Sequence, residues 1–114
     1  MDQNVQELQG DAGFLAALRE IVRRIAQVAA PEQIILFGSS VRGIASPNSD
    51  IDLLVIKRDA KRRELAGRIY QALIGVGRPV DIVVVTPEDI VRYRESPATV
   101  IAPALREGKL IYAA

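Results

Sequence analysis

Apolar residues recur along this chain in two rhythms, one helical and one extended. Between residues 11 and 30 they fall at Phe14, Leu15, Leu18, Ile21, Val22, Ile25 and Val28, three and four apart, with arginines and Glu20 between them. That stripe predicts an amphipathic helix, with Asp11 as its cap and Pro31 as its stop. Residues 33–37 are short and mostly apolar, which reads as a strand. Residues 39–43 read as one helical turn, and 44–49, containing Pro47-Asn48, as a loop. Residues 50–57 predict a second strand, apolar on both faces beyond Asp52 and so expected inside a sheet. A second helical stripe (Leu65, Ile69, Ala72, Leu73) covers 59–74 and ends at Gly75-Val76-Gly77. Residues 80–85, nearly all β-branched, predict a third strand. Thr86-Pro87-Glu88-Asp89 has the form of a helix start, with a capping hydroxyl, a proline at the first position and acids in the first turn. Ser96-Pro97 repeats that signal for a last helix closed by Gly108, and residues 109–112 read as a final strand. Helices alternating with strands predict the α/β (α+β) class: a small mixed sheet flanked by helices.

Composition narrows the function more than the fold. A length of 114 residues suits one core, expected over residues 11–114 after a polar, flexible stretch at 1–10. Hydrophobic residues make up 49% and aromatics 4%, so the core must be aliphatic. Fifteen basic against 14 acidic residues leave +1, which is no footprint of a nucleic-acid binder, and direct nucleic-acid contact is not expected. The clusters Arg23-Arg24, Lys57-Arg58 and Lys61-Arg62-Arg63 lie on or beside predicted helices and read as solvated faces. Cysteine and histidine are both absent. Their absence excludes disulfides, thiolate or imidazole zinc sites, cysteine nucleophiles and a Ser-His-Asp triad, and leaves carboxylates as acid, base and metal-binding groups. Asp2 and Glu7, with no basic region before an apolar core, predict no signal peptide. No apolar run approaches the roughly 20 residues of a membrane helix. A cytoplasmic location without membrane association is expected.

The candidate chemistry lies in Leu36-Phe37-Gly38-Ser39-Ser40-Val41-Arg42-Gly43 and in Asp50-Ile51-Asp52. Along a strand Asp50 and Asp52 share a face while Ile51 points away. Like charges on one face favour protonation unless a cation sits between them, and Mg2+, a hard ion, prefers carboxylate oxygen. Gly38 lets the backbone pass close to a ligand, and the amides after it can face phosphate. Asp81 is an acid within a run of valine and isoleucine, costly to bury without compensation. If its strand lies beside that of Asp50 and Asp52, three carboxylates meet at one end of the sheet. Three acids can hold two Mg2+ ions about 3.5–4 Å apart across an in-line phosphoryl displacement, and an acid not committed to metal can accept the proton of the attacking hydroxyl. Ser39 and the neighbouring amides would orient the phosphates, and Arg42 would neutralise them.

Taken singly, each residue has a plain structural reading. Gly38 is a turn, Ser39 and Ser49 are caps, Arg42 pairs with a surface acid, Asp50 precedes a strand and Asp81 is a strand-edge acid. Their joint occurrence favours metal–nucleotide chemistry. Two other motifs fail. The Asp-x-Asp leads into an apolar strand rather than the glycine turn of an EF-hand, and Gly75-Val76-Gly77 follows a helix, unlike a dinucleotide loop.

Gly38-Ser39-Ser40-Val41-Arg42-Gly43, then Ser49-Asp50-Ile51-Asp52 and the later Asp81, resemble the DNA polymerase β-like nucleotidyltransferase superfamily. In so short a chain the likeness is to its minimal nucleotidyltransferase branch. Leu105-Arg106-Glu107-Gly108-Lys109-Leu110-Ile111-Tyr112 also resembles how those domains close, so the likeness spans roughly residues 15–112. Ser40-Val41 departs from the Arg-Ala often found there, at positions that vary. The resemblance implies a polymerase-β-like fold and Mg2+-dependent transfer of a nucleoside monophosphate from an NTP, with release of pyrophosphate. It implies Asp50, Asp52 and Asp81 as metal-binding acids, Asp81 also as base, and Gly38, Ser39, Arg42 and Ser49 as phosphate-side residues. Minimal members pair with a small helical HEPN-type protein as antitoxin and toxin. That pairing implies ATP as substrate, a tyrosine of the partner as AMP acceptor (AMPylation) and a hetero-oligomer. Two further readings stand beside it. One is a small-molecule nucleotidyltransferase whose acceptor pocket a partner subunit completes. The other is an antitoxin that neutralises its toxin by covering it, with catalysis dispensable. Positive mean hydropathy in so small a chain favours some apolar surface reserved for a partner.

Overall fold

Branched aliphatic residues suit the pleated surface of a sheet, and they fill four strands: β1 (Gln33–Phe37), β2 (Ile51–Ile56), β3 (Val80–Val85) and β4 (Lys109–Ala113). The computed structural model describes residues 12–42 and 50–114. Within them the strands form one sheet in the order β3-β2-β1-β4. β1 runs antiparallel to β2 and to β4, whereas β2 and β3 are parallel. A parallel pair needs a crossover, which α2 (Arg62–Ala72) supplies. The other helices are α1 (Ala12–Ala29), α3 (Pro87–Tyr93) and α4 (Ile101–Glu107), and a 3-10 turn (Gly38–Arg42) follows β1. The α/β class and mixed sheet expected from the pattern are those observed.

Alternation along the strands sorts the core into two layers. Ile34 and Leu36 of β1, Ile51, Leu53 and Val55 of β2, and Ile82 and Val84 of β3 face α1 and α2. There they meet the buried stripe Phe14, Leu18, Ile21, Val22 and Ile25 of α1. Ile35, Leu54, Ile56 and Val85 face the opposite way and pack with Ile101 and Ala104 of α4. Leu53, Leu54 and Val55 are all fully buried, as an unbroken apolar run in an interior strand requires. Gly108 closes α4 hard against β1, since an added Cβ would lie 2.6 Å from Ile35 Cγ2 and 3.0 Å from the Leu36 carbonyl. Among the described residues no helix is long and apolar enough to cross a membrane.

Two helix starts differ from expectation, each for a local reason. α2 begins at Arg62 rather than near 59 because Asp59 adopts φ 58°, a left-handed conformation that a right-handed helix cannot contain. The last helix does not start at Ser96-Pro97. Ser96 instead closes a turn, its carbonyl accepting the Thr99 amide at 3.4 Å, and α4 starts at Ile101. Pro103 dictates this. A start at Ile101 puts it in the first turn, where its missing amide is harmless, whereas a start near 97 would press its ring on the Thr99 carbonyl. The cap assigned to Asp11, the stretch 1–10 and the loop 44–49 lie outside the described residues.

Candidate active site

β1 ends at Phe37 and Gly38 turns the chain. Its φ is 80°, a conformation that side-chain-bearing residues rarely adopt. An added Cβ would also collide with the Asp52 carboxylate, whose Cγ would lie 3.2 Å away. Glycine is therefore required twice, once by the backbone and once by its neighbour. The 3-10 turn packs against β1, β2 and α4. Within it Ser40 is buried and donates its Oγ to the Asp50 carbonyl at 3.0 Å, which ties the turn to the entrance of β2. Ser39 is exposed beside it.

Asp52 and Asp81 occupy the same register position on the parallel neighbours β2 and β3, and Phe37 lies across from Asp52 on β1. Residues so paired emerge on one face, their backbones about 4.8 Å apart. By alternation that face is the one shared with Leu54, Ile56 and Val85, at the end of the sheet where β1 gives way to Gly38. Asp52 is half-buried, Asp81 is exposed, and Asp50 is exposed just ahead of β2. Burial, then the charge of Asp81, a hydrogen bond with it and the charge of Asp50 raise the Asp52 carboxyl above the ordinary carboxylate range.

The donor set fits a hard divalent cation. Two carboxylates share a position where their charges conflict, and a cation between them removes the conflict that otherwise favours a proton. Among the described residues no group of three or more acidic side chains is already gathered as a metal cage. The structure brings Asp52 and Asp81 together, with Gly38 beside Asp52 and Asp50 near enough to act on it by charge. The Arg42 side chain and Ser49 lie outside the described residues.

Two positioning residues escape a reading of the sequence. Ser40 departs from the arginine often found at its position, yet its hydroxyl joins the turn to Asp50. Tyr70, on α2, accepts the Ile82 amide on its hydroxyl at 2.8 Å, and so secures β3 one residue beyond Asp81. β3 is an edge strand, so that amide has no further strand to bond. Nothing near Tyr70 in sequence announces this contact, because its partner is twelve residues away across a turn.

Comparison with known proteins places the chain among relatives. The family model described as "Polymerase beta, Nucleotidyltransferase" matches residues 19–114. No curated protein sequence matches significantly. Among solved structures, a Sulfolobus solfataricus protein provisionally described as a nucleotidyltransferase is similar in fold, at 21% identity and TM-score 0.57 over 92% of this chain and 90% of that one. A toxin–antitoxin solved with AMP-PNP is 29% identical, with TM-score 0.53 over 84% of this chain and 73% of that chain.

Proposed function

Since the chain belongs to the polymerase β nucleotidyltransferase family, we propose that it transfers AMP from ATP to a hydroxyl of a partner protein. The partner we assign is a small helical HEPN-type toxin, so that the transfer neutralises the toxin and the chain acts as its antitoxin. The observation that carries this reading is the pairing of Asp52 with Asp81 at one register position beside Gly38. Likeness to a toxin–antitoxin solved with AMP-PNP supports both the nucleotide and the class of partner.

Asp50, Asp52 and Asp81 would hold Mg2+, which when bound supplies positive charge at the NTP phosphates. Gly38, without a side chain, leaves the backbone open to the triphosphate close to Asp52. Ser39 offers an exposed hydroxyl donor from the 3-10 turn, and Arg42 and Ser49 are assigned to the phosphates by their places in the motif. Ser40 holds the turn and the Asp50 backbone in fixed relation, so the phosphate side and the carboxylate side move as one piece. Asp81, exposed at the strand edge, accepts the proton of the attacking hydroxyl. The new bond forms between that oxygen and the α-phosphorus, the bond from the α-phosphorus to the bridging oxygen breaks, and pyrophosphate leaves.

Incubation with α-labelled ATP, Mg2+ and the product of the neighbouring gene tests this, with Asp50→Ala/Asp52→Ala alongside. Label is expected on the neighbour and absent with the variant. No label, with a tight complex still formed, would overturn the catalytic reading in favour of neutralisation by covering alone.

A further inference from the structure

The net charge of +1 conceals a segregation of charge along the fold. Residues 57–68 hold six basic and two acidic side chains, leaving nine basic against twelve acidic in the rest of the chain. This segment links β2 to α2 and forms the first turns of α2. It lies at the far end of β2 from Asp52, five residues or roughly 16 Å along the strand. The carboxylates and the cations therefore occupy opposite ends of the same strand.

Lys57, Arg58, Lys61 and Arg68 line a cleft of about 360 Å³ whose apolar wall is Val28, Ala29 and Leu65. Shallower concavities beside it hold Arg62 and Arg63 on α2, and Arg23 and Arg24 on α1. Of these, Arg62 is paired with Asp89, and Arg23 and Arg24 with Glu20, so among the described residues the unneutralised arginines here are Arg58, Arg63 and Arg68. Lys57 donates to the Ala30 carbonyl at 3.0 Å and Arg68 to the Val28 carbonyl at 3.3 Å. These neutral partners hold the side chains without cancelling their charge, although Lys57 also lies 4.0 Å from Glu32. Asp59 and Glu64 are the acids of the cleft. Among the described residues the side chains of Arg58, Lys61 and Arg63 make no hydrogen bond or ion pair.

We propose that this groove between α1 and α2 tracks the phosphodiester backbone of a nucleic-acid strand. Arginine predominates, and its fork matches phosphate oxygens. No aromatic side chain lines the groove, so it offers no platform on which a base could stack, and recognition falls on phosphate rather than on sequence. The cations of α2 run from Lys61 to Arg68, about 10 Å of helix, which a strand spans and a single phosphate does not. A protein partner would instead want an apolar centre. The exposed large hydrophobics among the described residues (Tyr70, Ile74, Val91, Val100, Leu105 and Leu110) all lie outside the groove. Strand binding in this groove would not depend on nucleotidyl transfer.

The test is fluorescence anisotropy of a labelled oligouridylate titrated with the whole chain, at salt from about 50 to 200 mM. Binding is expected to weaken with salt at a log–log slope of about −2 to −3. Lys61→Glu/Arg63→Glu should weaken it at least tenfold at the low-salt end and flatten the slope by about 1.4. Asp52→Asn should bind the oligomer as the wild type does. Should charge reversal lower the melting temperature, Lys61→Gln/Arg63→Gln makes the same comparison without adding acids. Absence of binding at low salt, or unchanged affinity in the charge variants, overturns the proposal. Equal binding of polyglutamate of matched charge overturns it in favour of an acidic protein, and AMP competing as well as the oligomer overturns the tracking of a strand.

Discussion

Gly38 and Asp52 constrain one another, and substitutions there separate stability from chemistry. Gly38→Ala forces φ 80° on a residue with a Cβ and drives that Cβ into the Asp52 carboxylate. A loss of about 1–3 kcal/mol is expected in denaturant unfolding, together with lost transfer activity because Asp52 must shift. Asp52→Asn should behave in the opposite sense. The carboxyl of Asp52 is raised in the folded state, first by burial and then by Asp81. An acid raised on folding favours the fold while protonated, so its contribution is present below the unfolded pKa and fades as pH climbs from there through the folded pKa. At neutral pH and without metal it is therefore a burden, and Asp52→Asn should raise the melting temperature while lowering transfer by about 100-fold or more. Melts of both proteins at acid and neutral pH check this, since the gain should vanish in acid. Gly38 and Asp52 are both legible as residues, one ending an apolar run and one opening the next. Their mutual contact is not, because it depends on how β1 and β2 align.

α3 shows a local signal that holds, and α4 shows one that a neighbour overrides. Thr86 accepts the Asp89 amide at 3.1 Å while Asp89 accepts the Thr86 amide at 3.0 Å, completing the capping box. Those groups lie within four residues, which is why Thr86-Pro87-Glu88-Asp89 could be read directly. Ser96-Pro97 carries much the same signal and starts nothing, because Pro103 sets where α4 begins. Arg62 adds what no local reading contains: it reaches Asp89 at 2.8 and 2.7 Å from the first turn of α2. Burial works to raise the Asp89 carboxyl, but the Thr86 amide, the Arg62 guanidinium and the Thr86 hydroxyl outweigh it and hold it below the ordinary range. A depressed acid stabilises above its unfolded pKa, and that stability is lost as pH falls toward the folded pKa. Thr86→Ala should cost about 1 kcal/mol. Asp89→Asn should destabilise at neutral pH by an amount that shrinks below pH 4, as paired chemical melts will show.

Across the whole molecule, the sheet order brings the two acids together, and sequence alone left that conditional. The strands themselves were legible because branched residues and turn signals mark them. The pairing of β3 with β2, and in parallel, rests on a crossover through α2, which packs against α1 far earlier in the chain and against β3 after it. Tyr70 belongs to this scale, since it joins the crossover helix to the edge strand. Tyr70→Phe removes the acceptor for the Ile82 amide at a cost of about 1 kcal/mol. Hydrogen exchange at that amide should accelerate well beyond its neighbours in β2, and equal acceleration throughout the sheet would contradict a local role.

β3 reads Val-Asp-Ile-Val-Val-Val, five branched aliphatics that would pack about equally well on either face. A slip of one residue along β2 would exchange the faces of every side chain, yet five of the six would scarcely register the change. Only Asp81 distinguishes the two arrangements. In the observed register it stands at the exposed end of the face bearing Asp52, whereas after a slip it would be driven among Ile51, Leu53 and the α1 layer, where an unpaired charge is untenable. The residue proposed as the base thus also proofreads the strand, rejecting the misaligned sheet as the chain folds.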